Sequence, residues 1–210
     1  MIRACQPRLA NYALSPRPAS QVRASYGIYV GLRNVPLSVI IYRWRTGVKI
    51  GIISDTHDNV SDLEAALEVL RVEGVTKILH CGDVCGPDII QALAGFGVWI
   101  AQGNMDRHLG LAQAIEETLG CGRLAWLHEP TLDGHLVAMI HGDNEQVLGS
   151  LITSGKYACV FHGHTHRRRD QMVGRTRVVN PGALGGVRWQ RRSFCILDLT
   201  TGENRFVELL

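Results

Sequence analysis

Residues 1–47 contain no aspartate, no glutamate and no lysine. Their charges come from seven arginines (Arg3, Arg8, Arg17, Arg23, Arg33, Arg43 and Arg45), and four of the chain's seven prolines fall among them. No helical or alternating apolar period runs through this stretch, so it is expected to be a disordered basic extension. Three origins fit its composition. It could be a targeting segment, which is Arg-rich and acid-poor, a basic arm for an acidic partner, or upstream sequence translated from a start codon set too early. The last is favoured because Val48-Lys49-Ile50-Gly51 reads as the opening of a first strand, with Val where an initiating residue would stand. Residues 48–210, with 15 basic and 19 acidic side chains, then form the folded domain.

Other scarcities narrow the function. Aromatic residues make up 6% of the 210, too few to build a stacking platform for single-stranded nucleic acid. The net charge of +3 is too small to call for a nucleic-acid partner. The best candidate for a membrane run, 35–42, is interrupted by Pro36 and stopped by Arg43, and no uncharged apolar run reaches the about 18 residues a membrane helix needs. None of the six cysteines forms a CxxC pair, which excludes a zinc knuckle. They read as reduced thiols serving as small core residues, so a cytoplasmic protein is expected. A 46% hydrophobic and 20% charged composition fits an ordinary globular domain.

From Val48 onward the pattern alternates strand and helix. Residues 48–54 form a short apolar run. Ser61-Asp62-Leu63-Glu64 then has the form of a capping box. Leu63, Ala66, Leu67 and Leu70 follow at helical spacing as a core stripe, and Gly74 stands where a helix ends. Strands are expected at 76–80 and 98–101, with helices at 88–94 and 111–119. Residues 123–127 and 135–140 read as strands, the latter entered through Leu132-Asp133-Gly134. A helix at 145–153 leads to a strand at 157–162. The last third is all short strands: 169–173, 175–179, 194–199 and 203–209. Parallel units followed by a β-rich half predict two sheets packed face to face with helices outside.

Chemistry collects at the strand ends. These are Asp55-Thr56-His57, Gly82-Asp83, Gly103-Asn104, His141-Gly142-Asp143 and Gly163-His164-Thr165-His166. One such end would mean little, but five together, each closing an apolar strand, make a site. Asp55, His57, Asp83, Asn104, His141, His164 and His166 form a shell of oxygen and nitrogen donors without thiolate. Seven ligands exceed what one four-coordinate ion accepts, so two ions sharing a carboxylate are expected. Such donors suit Mn, with Ni, Fe or Zn as alternatives, better than Mg or Ca. Paired dications lower the pKa of a shared water and clamp both oxygens of an in-line displacement. Two dications, two carboxylates and one hydroxide sum to about +1, which a monoanionic phosphodiester neutralises.

These five motifs, in this order, resemble those of the calcineurin-like metallophosphoesterases, and Asn180-Pro181-Gly182-Ala183 resembles the loop after the last motif in the small YfcE-type phosphodiesterases. The resemblance spans about residues 48–210. It implies a four-layer αββα sandwich, two mixed β-sheets flanked by helices, around a dinuclear metal centre. It implies that Asp55, His57 and His166 hold one metal, that Asn104, His141 and His164 hold the other, and that Asp83 bridges them. Asp83, Asn104 and His141 would be the catalytic residues, and the activity would be divalent-metal-dependent hydrolysis of a small phosphoester, a diester first. Phosphomonoesterase or protein phosphatase activity on the same centre is the alternative, as is a non-catalytic scaffold like the retromer subunit of this fold. A homodimer is also implied. Many family members carry His after the motif Asn, where this chain has Met105, which can neither donate nor accept a proton. Water, His108 or a good leaving group would have to make up for it.

Neighbouring residues carry plainer expectations. His80 and His162 read as core or supporting histidines, His128 and His135 as solvated, and Trp99 as packing. Asp58 and Asp143 could support the ligands or be surface. Asp106 is expected to orient a ligand histidine. Arg167-Arg168-Arg169 reads as a solvated or interface charge run more than as a phosphate-attracting rim.

Overall fold

A computed structural model describes residues 48–209; the extension expected to be disordered, 1–47, lies outside the described residues. The chain runs β1 (Lys49–Ile53), α1 (Val60–Val72), β2 (Lys77–His80), α2 (Asp88–Ala92), β3 (Gly97–Ala101), α3 (Leu111–Leu119) and β4 (Leu124–Ala125). It continues through β5 (Leu127–His128), β6 (Thr131–Leu132), β7 (His135–Ile140), α4 (Glu145–Thr153) and β8 (Cys159–Phe161). It closes with β9 (Arg169–Val173), β10 (Thr176–Asn180), β11 (Ser193–Asp198) and β12 (Asn204–Glu208).

Two mixed sheets result. The first has the order β12-β11-β1-β2-β3-β4, parallel from β1 to β4 and antiparallel at β11 and β12. The second has the order β5-β7-β8-β10-β9, with β6 pairing β7 alone. Alternation along each strand decides which layer a side chain enters. Ile50, Ile52, Leu79, Val137, Met139 and Phe161 meet between the sheets. Ile78, Val98 and Ile100 face the other way, onto Leu63, Leu67, Leu70, Ile89 and Ile115 of the helices. Ala138, Ile140 and Val160 take Leu148 and Ile152 of α4 on the outer face of the second sheet. The four layers are therefore αββα, as expected.

Three local expectations are corrected, the start of α1, the strand at 123–127 and the solvation of His128. Helix α1 begins two residues earlier than the Ser61 motif suggested, because Asn59 is the N-cap and its Oδ1 accepts from the Asp62 amide at 3.2 Å. Asn59 Nδ2 also donates to the Leu184 carbonyl at 2.9 Å, tying the helix start to the loop after β10. The other end ends as expected, with Gly74 bonded to the Arg71 carbonyl and Val75 to that of Leu70, the paired bonds of a Schellman motif. The segment 123–127 is not one strand. Leu124–Ala125 joins β3 in the first sheet and Leu127–His128 joins β7 in the second, so the chain changes sheets at Trp126. This crossover buries His128, whose Nε2 meets the Ile100 carbonyl at 2.9 Å, while His135 is exposed as expected.

Candidate metal centre

The five motif loops leave their strands on one edge of the two sheets and are stitched together by backbone hydrogen bonds. Asp55 donates to the Gly82 carbonyl at 2.9 Å, His57 to that of Asp83 at 3.0 Å, and Gly163 to that of His141 at 2.9 Å. Gly185 completes the ring by donating to the Asp55 carbonyl at 2.6 Å. These bonds hold Asp55, His57, Asp83, His164 and His166 at φ of 52°, 44°, 55°, 65° and 54°. A non-glycine residue held there costs about 1–3 kcal/mol and persists only where its surroundings over-determine it. Five of the seven candidate ligands are strained in this way, as are the neighbouring Asp58 and Cys85.

Six of the seven predicted side chains converge directly. His141 Nε2 lies 3.3 Å from Asp83 Oδ2 and 3.1 Å from Asn104 Oδ1. On the other side, His166 Nε2 lies 3.3 Å from Asp55 Oδ1 and 3.3 Å from His57 Nε2, and His57 Nε2 is 3.6 Å from Asp83 Oδ2. The ligand atoms of Asp55, His57 and His166 fall within 4.8 Å of one another, as do those of Asp55, Asp83 and His141. The seventh, His164, is exposed and packs its ring edge-on to His141 with centroids 5.1 Å apart. Its backbone amide donates to the Asp55 carboxylate at 3.1 and 3.3 Å.

The far ring nitrogens fix what the near ones can do. His141 Nδ1 donates to the Cys81 carbonyl at 2.8 Å, and His166 Nδ1 to the Val187 carbonyl at 2.8 Å. In the neutral imidazoles each Nε2 is therefore a lone pair, aimed at carboxylate and amide oxygens that are acceptors too. Facing acceptors repel unless a cation or a proton sits among them, so the donor set fits a divalent metal. Without one, protons take that place. Burial alone would depress the His141 imidazole, but its hydrogen bond to Asp83 and the Asp55 charge outweigh burial and hold its pKa up at about 9. The hydrogen bond to Asp55 likewise raises His166. Burial would raise the Asp83 carboxyl, yet His141 and the Met105 amide bring it below its ordinary value.

The surrounding residues hold the loops in place. Asp106 does not orient a histidine as expected. Its Oδ2 accepts from the amides of Gly103 at 2.7 Å and Asp83 at 3.1 Å, and its Oδ1 from that of Cys85 at 2.8 Å. It therefore holds the Asp83 and Asn104 loops to each other. Asp58 accepts from the Gly86 amide at 2.6 Å, a supporting role, whereas Asp143 is exposed. His80 is buried as expected, accepting from the Gly82 amide through Nδ1 and meeting Thr56 Oγ1 through Nε2, and burial brings its pKa down to about 4. Cys85 approaches His57 Nδ1 at 3.5 Å, but burial and the Asp58 and Asp106 carboxylates push its thiol up to about 12, which removes it as a nucleophile. Met105 is half-exposed and its amide donates to Asp83 Oδ1 at 2.9 Å. His108, offered above as a substitute acid, accepts from the Gly110 amide at 3.1 Å and so caps the turn into α3.

Several glycines around the site are required by contact, two of them against ligand rings at positive φ. A Cβ on Gly82, at φ 98°, would stand 2.7 Å from His141 Nδ1, and one on Gly186, at φ 61°, would stand 2.7 Å from His166 Cε1. Sequence reasoning missed the 185–187 loop, which backs both His57 and His166. The consecutive glycines after the Asn180 motif were the available signal.

Residues 48–202 match the sequence profile of the calcineurin-like phosphoesterase superfamily domain. The chain belongs to this superfamily. Within it, the chain is 29% identical over 174 residues to phosphodiesterase MJ0936 of Methanocaldococcus jannaschii, covering 77% of this chain and 99% of that protein. Among solved structures it is similar to a novel archaeal phosphodiesterase at 30% identity and TM-score 0.70, covering 77% of this chain and 99% of the other. It shares its fold with Yfce, a phosphoesterase from E. coli, at 18% identity and TM-score 0.58, over 77% of this chain and all of the other (100%). The superfamily and the Asp/His clusters together mark a divalent-metal site. Among the described residues no helix is long and apolar enough to cross a membrane.

Proposed function

We propose that this calcineurin-like protein is a metal-dependent phosphodiesterase acting on a small phosphoester. The observation that carries the reading is the position of Asp83, whose Oδ2 lies 3.3 Å from His141 Nε2 and 3.6 Å from His57 Nε2. One carboxylate thus reaches both halves of the donor set. Asp55, His57 and His166 would hold one ion, Asn104, His141 and His164 the other, with Asp83 shared between them. Bound divalent ions supply Lewis acidity toward phosphoryl oxygens and a nucleophile at neutral pH. Mn fits a donor set of carboxylate, amide and imidazole, with Ni, Fe or Zn as the alternatives.

The chain's own contributions follow from its hydrogen bonds. Asp83, Asn104 and His141 are the proposed catalytic residues. The Cys81 carbonyl fixes the His141 tautomer, so that Nε2 is the coordinating atom. The Arg107 guanidinium donates to the Asn104 carbonyl at 2.8 Å and steadies that turn. With Asn104 Oδ1 turned to His141, its Nδ2 protons remain to donate to a phosphoryl oxygen. Met105 offers no proton for the departing oxygen, which favours substrates with stable leaving groups. Cys81, Cys85, Cys159 and Cys195 are free thiols, but Cys121 is disulfide-bonded, which corrects the expectation that all the cysteines are reduced.

The test is a comparison of kcat/KM for bis(4-nitrophenyl) phosphate and 4-nitrophenyl phosphate with the full chain, stripped of metal and then loaded with Mn²⁺. Diester hydrolysis should exceed monoester hydrolysis. Dominant monoester turnover would replace this reading with a phosphomonoesterase, and no turnover of either would remove the enzyme reading for aryl esters.

A further inference from the structure

Directly after the ligand pair His164 and His166, the chain enters a groove of about 450 Å³ that the centre described above does not use. Its walls are Arg167, Arg168, Arg169 and Trp189, and its floor includes His162. Thr165, between the two ligands, lies on its rim, so groove and centre share one loop. Trp189 is 63% exposed, an unusual position for the largest aromatic side chain. The Arg167 guanidinium lies 5.6 Å from its ring centroid, and among the described residues Arg167 makes no ion pair. Arg168 differs: its backbone amide donates to Gln190 Oε1 at 2.9 Å and its guanidinium pairs with Glu208, which anchors the strand of chain beside Trp189. The groove therefore has a fixed wall and an uncommitted aromatic and cationic face.

The floor adds an independent sign of a ligand. His162 is 3% exposed, and its Nε2 is a buried polar atom without a hydrogen-bond partner. Asn180 Nδ2 spends its two protons on the Gly163 carbonyl at 2.7 Å and Thr165 Oγ1 at 3.1 Å, closer than its 3.3 Å approach to His162 Nδ1. The His162 Nδ1 proton then goes to the Gly163 carbonyl at 3.1 Å, which leaves Nε2 as a bare acceptor. A buried acceptor without a donor costs free energy that a ligand N–H would recover. A planar group that stacks on Trp189 and Arg167 and carries N–H donors on its edge is a nucleobase.

We propose that this groove is a subsite for the base of a nucleotide ester, so that the phosphoesters the centre acts on carry a nucleoside on one arm. The proposal rests on the phosphodiesterase reading for its catalytic consequence, but base binding itself does not. The groove's volume is that of small-molecule sites and suits a mononucleotide.

Calorimetric titration of the full chain with adenosine 5′-monophosphate and with ribose 5-phosphate isolates the base. The nucleotide should bind about ten-fold more tightly, and Trp189→Ala should remove that difference while retaining the fold, because the side chain is exposed. A second arm compares kcat/KM for the 4-nitrophenyl ester of thymidine 5′-monophosphate with that for methyl 4-nitrophenyl phosphate. Their ratio should favour the nucleotide ester and fall about ten-fold in Trp189→Ala. Equal binding of the two ligands, or a difference that survives Trp189→Ala, overturns the subsite. Base-dependent binding without hydrolysis of either ester upholds the subsite and overturns the enzyme reading alone.

Discussion

His141 Nε2 and Asp83 Oδ2 face each other at 3.3 Å while the other ring nitrogen of His141 is committed to the Cys81 carbonyl. The pair holds a proton tightly in the protein without metal, and a metal must displace that proton. With the His141 pKa raised to about 9, its contribution to stability is fully present below the ordinary histidine value near 6.5. That contribution is lost as pH rises through about 9. Thermal unfolding of the metal-stripped protein should therefore show a falling midpoint between pH 6.5 and 9, and His141→Gln should flatten it. Mn²⁺ binding should release protons in the same window, read by calorimetry in buffers of differing ionisation enthalpy.

Asp106→Ala removes the acceptor of three amide protons, those of Gly103, Cys85 and Asp83. Leaving buried donors unpaired should cost about 3 kcal/mol in urea unfolding. Because two of those amides belong to the Asp83 loop, Mn²⁺ affinity should fall as well. Unchanged affinity in a destabilised variant would limit Asp106 to a folding role.

Gly186→Ala places a methyl group 2.7 Å from His166 Cε1 at a backbone φ of 61° that alanine rarely adopts. The loop must shift, taking with it the Val187 carbonyl that orients His166. Affinity for the ion that Asp55, His57 and His166 would hold should drop about 10- to 100-fold, the usual effect of losing an orienting partner. Competition with a chromophoric chelator measures it.

Met105→His would restore a proton donor beside Asn104. Turnover of an alkyl phosphoester should rise about 100-fold if a general acid is what the chain lacks, with much less change for a 4-nitrophenyl ester. Equal changes for both would mean that residue 105 acts by shape.

The layers of the fold were legible because short continuous apolar runs mark β1, β2, β3 and β7 and Leu63, Leu67 and Leu70 recur at helical spacing. The convergence of the ligands was legible because each stands where an apolar run ends. Turn-level detail was not. Ser61 has the right chemistry for a cap, but Asn59 is selected by the Leu184 carbonyl, a contact 125 residues away in the chain. The segment 123–127 carries no sign that it divides between sheets, since both halves are apolar and only the partners β3 and β7 separate them. Asp106 was legible as important but not in its role, which depends on amides from two loops. The left-handed backbones of Asp55, His57, Asp83, His164 and His166 leave no trace in composition at all.

Counting bound metal tests the central claim most directly. The full chain, stripped and then equilibrated with excess Mn²⁺ and desalted, should retain two ions per chain by elemental analysis and hydrolyse bis(4-nitrophenyl) phosphate. Asp83→Asn should retain at most one and lose turnover. One ion in the native chain, or two in Asp83→Asn with hydrolysis intact, would contradict a centre built around a shared Asp83.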